Sequence, residues 1–130
     1  MRFYTVAEAR ALLPRVIPLV ARIRDAYVEL RALQAATAAQ ARGASGDGHL
    51  LADPWAEEGD NRPETLNRQL QTARAELDRL GIELKDPERG LIDFWSTRDG
   101  ETIYLCYLLG EPDLLYWHSL ADGFAGRRLL

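Results

Sequence analysis

Residues 91–109 read LIDFWSTRDGETIYLCYLL, and this stretch decides the second half of the fold. Apolar and polar side chains alternate on both sides of Asp99-Gly100, a pair that favours the centre of a two-residue β-hairpin turn. The pattern predicts two antiparallel strands, residues 91–97 and 102–109. A turn centred on this pair places Asp93 directly opposite Cys106.

A third strand follows the hairpin. Residues 110–113 (GEPD) are typical of a turn, and residues 114–119 return to strand-forming sequence. Residues 81–130 are therefore predicted to form a three-stranded antiparallel β-meander that ends in a glycine-rich C-terminal tail. If the alternation continues through the second turn, Trp117 shares a face with Asp93 and Cys106, while His118 lies on the opposite face. That opposite face is the more apolar one, and we expect it to pack on the helices.

The first 80 residues have a helical pattern. In two segments, apolar residues recur at alternating steps of four and three, which is the spacing of a coiled-coil seam. The first seam is Val16, Val20, Ile23, Tyr27 and Leu30, and the second is Leu66, Leu70, Ala73, Leu77 and Leu80. We predict a long, coiled-coil-like antiparallel helical hairpin over residues 1–80. The fold class is therefore α+β.

Two features interrupt this helical half. Pro14 and Pro18 lack the amide proton that a helix interior needs, so we expect a short first helix to break or kink near Leu13. Residues 43–61 form a connection of 19 residues with five acidic and no basic side chains. Most helical hairpins need a far shorter connection, so we expect a mobile loop here.

Composition limits the class of protein. The chain has 130 residues, 47% of them hydrophobic, and a net charge of −4, which together indicate one globular domain over residues 1–130. The negative charge argues against a nucleic-acid partner, and the absence of a long apolar run argues against a membrane span. We expect a cytoplasmic protein. With Cys106 as the single cysteine and only two histidines, an internal disulfide and a zinc site built from cysteine and histidine alone are excluded.

Several short runs resemble one particular protein family. They are residues 84–87 (LKDP), 90–94 (GLIDF), 110–112 (GEP) and 123–127 (GFAGR), together with Asp99-Gly100 and Trp117-His118. Residues 3–14 resemble the start of the same family, which is the uncharacterised bacterial family known as domain of unknown function 2203. The resemblance supports the fold and the cytoplasmic location, and it implies no particular activity.

Few residues are candidates for chemistry. The catalytic candidates are His118, Asp93 and Cys106, and the candidate metal ligands are Asp93, Glu111 and His118. The candidate ligand-binding residues are Trp95, Tyr104, Trp117 and Arg127. We expect an ion pair between Asp93 and Arg127, because a carboxylate within a sheet is unfavourable unless it is paired. A cysteine–histidine dyad is disfavoured, because the predicted register separates Cys106 from His118.

Two hypotheses about function follow. The first is a non-enzymatic interaction module without a cofactor, in which exposed aromatic residues of the sheet bind a protein partner or a second copy in a homodimer. The second is a small enzyme or a ligand- or metal-binding protein, with its pocket on the aromatic sheet face beside the C-terminal tail.

Overall fold

The computed structural model describes residues 2–43 and 61–130. Its elements in chain order are the helices α1 (Val6–Gly43) and α2 (Arg62–Leu80), the strands β1 (Ile82–Asp86), β2 (Leu91–Arg98), β3 (Glu101–Leu108) and β4 (Tyr116–Ser119), a short 3-10 turn (Phe124–Gly126) and the strand β5 (Arg128–Leu129). The α+β class is confirmed. Apart from its two end residues, the predicted mobile loop 43–61 lies outside the described residues.

Helix α1 is continuous, so the predicted break near Leu13 is wrong. Pro14 and Pro18 both lie inside it, and each removes one backbone hydrogen bond. The buried stripe nevertheless passes straight through this region, because Leu13, Val16 and Val20 are all at most 5% exposed. Burying each such side chain contributes about 1.5–3 kcal/mol, which offsets the roughly 3 kcal/mol that a proline costs.

The two helices lie side by side in antiparallel orientation. Ion pairs join Arg15 to Glu76 and Arg62 to Glu29, with nitrogen–oxygen distances of 2.5 and 2.7 Å. Early residues of α1 therefore lie beside late residues of α2. The seam predicted for α2 is buried along its whole length, and the helix ends at Gly81, whose φ of 73° is the left-handed conformation that glycine favours.

The sheet has five antiparallel strands in the order β1-β2-β3-β4-β5, so the predicted three-stranded meander was incomplete. β1 and β5 add one strand at each edge. β1 begins directly after Gly81 and has only five residues, and Pro87 follows its end. β5 has two residues and lies within what the glycine pattern had marked as a tail. Both segments are too short to show a clear alternation of their own.

The register of the central hairpin is as predicted. Asp93 pairs with Cys106 across β2 and β3, and the turn residues Asp99 and Gly100 have φ angles of 53° and 80°. Positive φ at both positions is what a type I′ turn requires.

The predicted faces of β4 are wrong by one residue. Cys106 pairs with Tyr116, and Tyr104 pairs with His118. His118 therefore shares a face with Asp93 and Cys106, and Trp117 lies on the other face. The loop between β3 and β4 explains the difference, because it is no tight hairpin turn: Glu111 folds back and accepts a hydrogen bond from the Leu108 amide through Oε1 at 2.6 Å. A one-residue slip exchanges the two faces of a whole strand.

The core lies between the helices and one face of the sheet. As expected, this is the more apolar face, and its buried members include Ile92, Phe94, Ile103, Leu105 and Tyr107. We call the opposite face, which carries Asp93, Cys106 and His118, the outer face. Neither described helix combines the length and the hydropathy that a bilayer crossing requires.

Candidate metal centre

Three neighbouring strands each contribute one polar side chain to a single buried cluster. Asp93 comes from β2, Cys106 from β3 and His118 from β4, and they are 1%, 0% and 3% exposed. One carboxylate oxygen, the Sγ atom and one imidazole nitrogen all lie within 4.8 Å of one another. We call these three residues the Asp–Cys–His cluster. Because antiparallel strands place register partners side by side, the sheet itself fixes the spacing of the cluster.

The protonation of His118 follows from its two neighbours. Its Nδ1 lies 2.8 Å from the backbone carbonyl oxygen of Ser119. A carbonyl oxygen only accepts, so Nδ1 carries the proton and donates it. Its Nε2 lies 3.1 Å from both carboxylate oxygens of Asp93. The lone pair of a neutral imidazole would then face the lone pairs of a carboxylate, so a proton or a metal cation has to lie between them.

Burial dominates the electrostatics of the other two members. It raises the pKa of Asp93 above its ordinary value, although His118, the Cys106 thiol and Lys85 act in the opposite direction. Burial also raises the pKa of Cys106, and the adjacent Asp93 carboxylate adds to the rise. The thiol donates a hydrogen bond to that carboxylate. In the absence of a cation, the cluster therefore keeps its cysteine as a neutral thiol.

Aromatic side chains cover one side of the cluster. The Tyr104 ring is centred 5.4 Å from the His118 ring and 4.6 Å from the Trp95 ring. The Tyr104 hydroxyl donates to Glu83 at 2.9 Å, and the Lys85 ammonium lies 4.5 Å from the Tyr104 ring centroid. Tyr104 is 7% exposed, so the predicted exposed aromatic patch is largely closed. This wall holds the imidazole ring and limits the access of water.

Residues that follow β3 and β4 cover the other side. Nη2 of Arg127 lies 2.6 and 2.5 Å from the two carboxylate oxygens of Glu111. The guanidinium carbon of Arg127 also lies 3.9 Å from the ring centroid of Tyr116, which is the register partner of Cys106. The C-terminal segment is therefore fastened beside Cys106 by an ion pair and by a cation–π contact.

The structure brings some of the predicted site residues together and separates others. Asp93 contacts His118 rather than Arg127, and Glu111 is engaged by Arg127 rather than by the cluster. Cys106 and His118, which the predicted register had separated, are close neighbours. Trp95 and Tyr104 line the outer face as predicted. Trp117 lies on the core face, where Arg98 stacks on it at 4.7 Å.

The donor set of the cluster suits a divalent transition metal. A thiolate, an imidazole and a carboxylate are the three ligand types that zinc accepts, and bond lengths of about 2.0–2.3 Å place the ligands of a tetrahedral ion roughly 3.3–3.8 Å apart. The separations in the cluster, 3.1 Å between Nε2 and the carboxylate and at most 4.8 Å overall, are compatible with that geometry. The hydrogen bond from Nδ1 to Ser119 is the outer-shell contact that orients a metal-binding histidine.

The fold and the cluster define a small α+β protein with a buried cysteine–histidine–carboxylate site on its sheet. The sequence profile of the family described as "Uncharacterized conserved protein (DUF2203)" matches residues 2–130, and the chain belongs to that family. Comparisons with curated proteins and with solved structures gave no match.

Proposed function

We propose that this protein binds a divalent transition metal ion of the zinc type through Asp93, Cys106 and His118. The observation that supports this most strongly is the arrangement around His118. Its Nδ1 proton is committed to the Ser119 carbonyl, and its Nε2 lone pair faces the Asp93 carboxylate at 3.1 Å. A metal ion satisfies both groups at once, with the Cys106 sulfur as a third ligand.

The choice of metal follows from the donors. A thiolate sulfur disfavours magnesium and calcium, which prefer oxygen ligands, whereas one imidazole, one thiolate and one carboxylate favour zinc. Binding displaces the thiol proton of Cys106, so the high pKa of that thiol weakens metal affinity as the pH falls. Three protein ligands leave one position of a tetrahedral ion for a ligand from solution.

The same geometry has a second interpretation, in which a shared proton holds Asp93 and His118 together and the cluster is purely structural. The two interpretations differ in what replacement of Cys106 does. A structural Asp93–His118 pair does not need the sulfur, whereas a metal site loses one of its three protein ligands.

Titration with Co²⁺ tests the proposal directly. We expect the metal-free protein to bind one equivalent of Co²⁺ and to develop a sulfur-to-cobalt charge-transfer band, which Zn²⁺ then displaces. The variants Cys106→Ser and His118→Gln are expected to lose at least tenfold in affinity. Glu111→Gln is the matched control, because this acidic residue lies beside the cluster but is paired with Arg127. Binding of less than one equivalent, or no charge-transfer band, would overturn the proposal.

Self-association is a second proposal with its own support. The side chains of Leu120, Leu129 and Leu130 are 51%, 69% and 38% exposed, and they lie after β4, towards the β5 edge of the sheet. We propose that two copies associate, and that the two helical seams pack in coiled-coil fashion. A cytoplasmic setting fits the metal site as well, because reducing conditions keep Cys106 available as a ligand.

A further inference from the structure

Arg127 carries a polar atom that the contacts described so far leave unexplained. Its Nε is buried and has no hydrogen-bond partner among the residues that the structure describes. Its Nη2 is committed to Glu111, and its side chain is only 11% exposed. A buried N–H group without an acceptor is unfavourable, and such groups in a folded protein mark the place of an acceptor from outside the chain.

This unsatisfied donor lies beside the proposed metal site. The Arg127 guanidinium stacks at 3.9 Å on Tyr116, and Tyr116 is the register partner of Cys106 on the adjacent strand. The positive charge of Arg127 also acts on the Cys106 thiol, against the rise in its pKa that burial causes. Positive charge and an open N–H donor therefore lie about one strand spacing, roughly 5 Å, from a metal ligand.

We infer that the open coordination position of the metal takes a small oxyanion, and that the Nε–H of Arg127 binds a second oxygen of the same anion. This inference rests on the metal site proposed above. A guanidinium is the side chain best suited to phosphate and carboxylate groups. Metal-bound water reaches about 5 Å from the metal to a hydrogen-bond donor, whereas a tetrahedral oxyanion spans roughly 7 Å. The position of Arg127 beyond Tyr116 favours the longer ligand.

The role assigned to Glu111 follows from the same contacts. Its carboxylate accepts from the Leu108 amide at 2.6 Å and from Nη2 of Arg127, so it fixes the guanidinium in one orientation. With Nη2 held in this way, Nε remains the buried donor available to an anion. Glu111 is therefore a positioning residue for Arg127.

The test uses the full chain loaded with Co²⁺ and follows the visible spectrum during titration with inorganic phosphate, with acetate in a parallel titration. Phosphate is expected to shift the cobalt bands saturably at millimolar concentration. A response to acetate alone would identify a carboxylate as the preferred oxyanion and would equally support the inference. In Arg127→Gln, the anion affinity is expected to fall at least tenfold while the Co²⁺ affinity stays within about twofold.

Arg128→Gln is the matched control. This arginine is the next residue in the chain and lies 5.4 Å from the ring centroid of Trp117, away from the cluster, so its replacement is expected to leave anion binding unchanged. Arg127→Lys keeps the charge beside Glu111 but lacks the Nε donor, so it separates the hydrogen bond from general electrostatic attraction and is expected to bind the anion as weakly as Arg127→Gln does.

Two results would overturn the inference while leaving the metal site intact. One is a cobalt spectrum that neither anion changes. The other is an equal loss of anion affinity in Arg127→Gln and Arg128→Gln. If the parent protein fails to bind Co²⁺ at all, the metal site and the oxyanion site are both wrong, and the missing charge-transfer band distinguishes this case from the other two.

Discussion

Replacing Asp93 by asparagine separates a ligand carboxylate from a structural one. Asparagine has the same shape, and its amide nitrogen can donate to the Nε2 lone pair of His118, which a deprotonated carboxylate cannot do. Its amide oxygen still accepts the hydrogen bond from the Cys106 thiol. Every hydrogen bond in the metal-free cluster can therefore be kept, and the buried charge of a group that is 1% exposed is removed.

The magnitudes follow from this comparison. In the metal-free protein, Asp93→Asn is expected to change the free energy of unfolding by no more than about 1 kcal/mol, which for a chain of this length is a shift of roughly 3–5 °C in Tm. His118→Ala instead strands the buried carboxyl group without its partner and costs about 3–5 kcal/mol. Zinc at a hundred times its Kd adds about 2.7 kcal/mol to the parent protein, which is roughly 10 °C in Tm.

The assay is thermal unfolding followed by circular dichroism, once in EDTA and once with zinc. Asp93→Asn is expected to match the parent protein in EDTA and to lose most of the increase in Tm that zinc gives. Two results would refute this reasoning. A loss of several kcal/mol in EDTA would make the carboxylate a structural partner of a charged His118. An undiminished response to zinc would mean that Asp93 is not a ligand.

Further predictions concern the rest of the molecule. Gly90→Ala should destabilise by about 2 kcal/mol or more, because φ is +71° and a Cβ would lie 2.7 Å from a neighbouring Cβ; Gly100→Ala, with φ of +80° and nothing within 4 Å, should cost only the backbone strain of about 1 kcal/mol, and equal chemical-denaturation midpoints would contradict this. Hydrogen bonds from Arg79 and Arg15 lower the pKa of Glu76, so the stability they give is present above pH 4.5 and is lost as the pH falls through the lowered value; Glu76→Gln should flatten the fall of Tm in acid, and an unchanged profile would show that these pairs contribute nothing. Light scattering should give twice the chain mass of 14.6 kDa at micromolar concentration, and a monomer mass throughout a dilution series would rule out the homodimer.

Much of the fold can be predicted from local sequence. The central hairpin and its register follow from Asp99-Gly100 alone, because a two-residue turn fixes every pair along both strands. The buried seam of α2 follows from its apolar spacing. The unbroken course of α1 does not, because local rules count the cost of Pro14 and Pro18 but not the packing of the helix on its neighbours.

The candidate site was only half predictable. The hairpin register already places Asp93 opposite Cys106 on one face. Adding His118 requires the register of β4, and this depends on how Glu111 folds the preceding loop. That loop is held by a hydrogen bond to the Leu108 amide and by an ion pair with Arg127, a contact between residues 16 positions apart in the chain. No pattern of alternation contains this information, so a slip of one residue assigned His118 to the wrong face.

X-ray absorption at the zinc edge of the zinc-loaded protein tests the metal site most directly. One sulfur ligand at about 2.3 Å and two or three nitrogen or oxygen ligands at about 2.0–2.1 Å are expected, with the sulfur absent in Cys106→Ser. A zinc ion surrounded only by nitrogen and oxygen, with a spectrum that Cys106→Ser leaves unchanged, would show that the Asp–Cys–His cluster does not bind the metal.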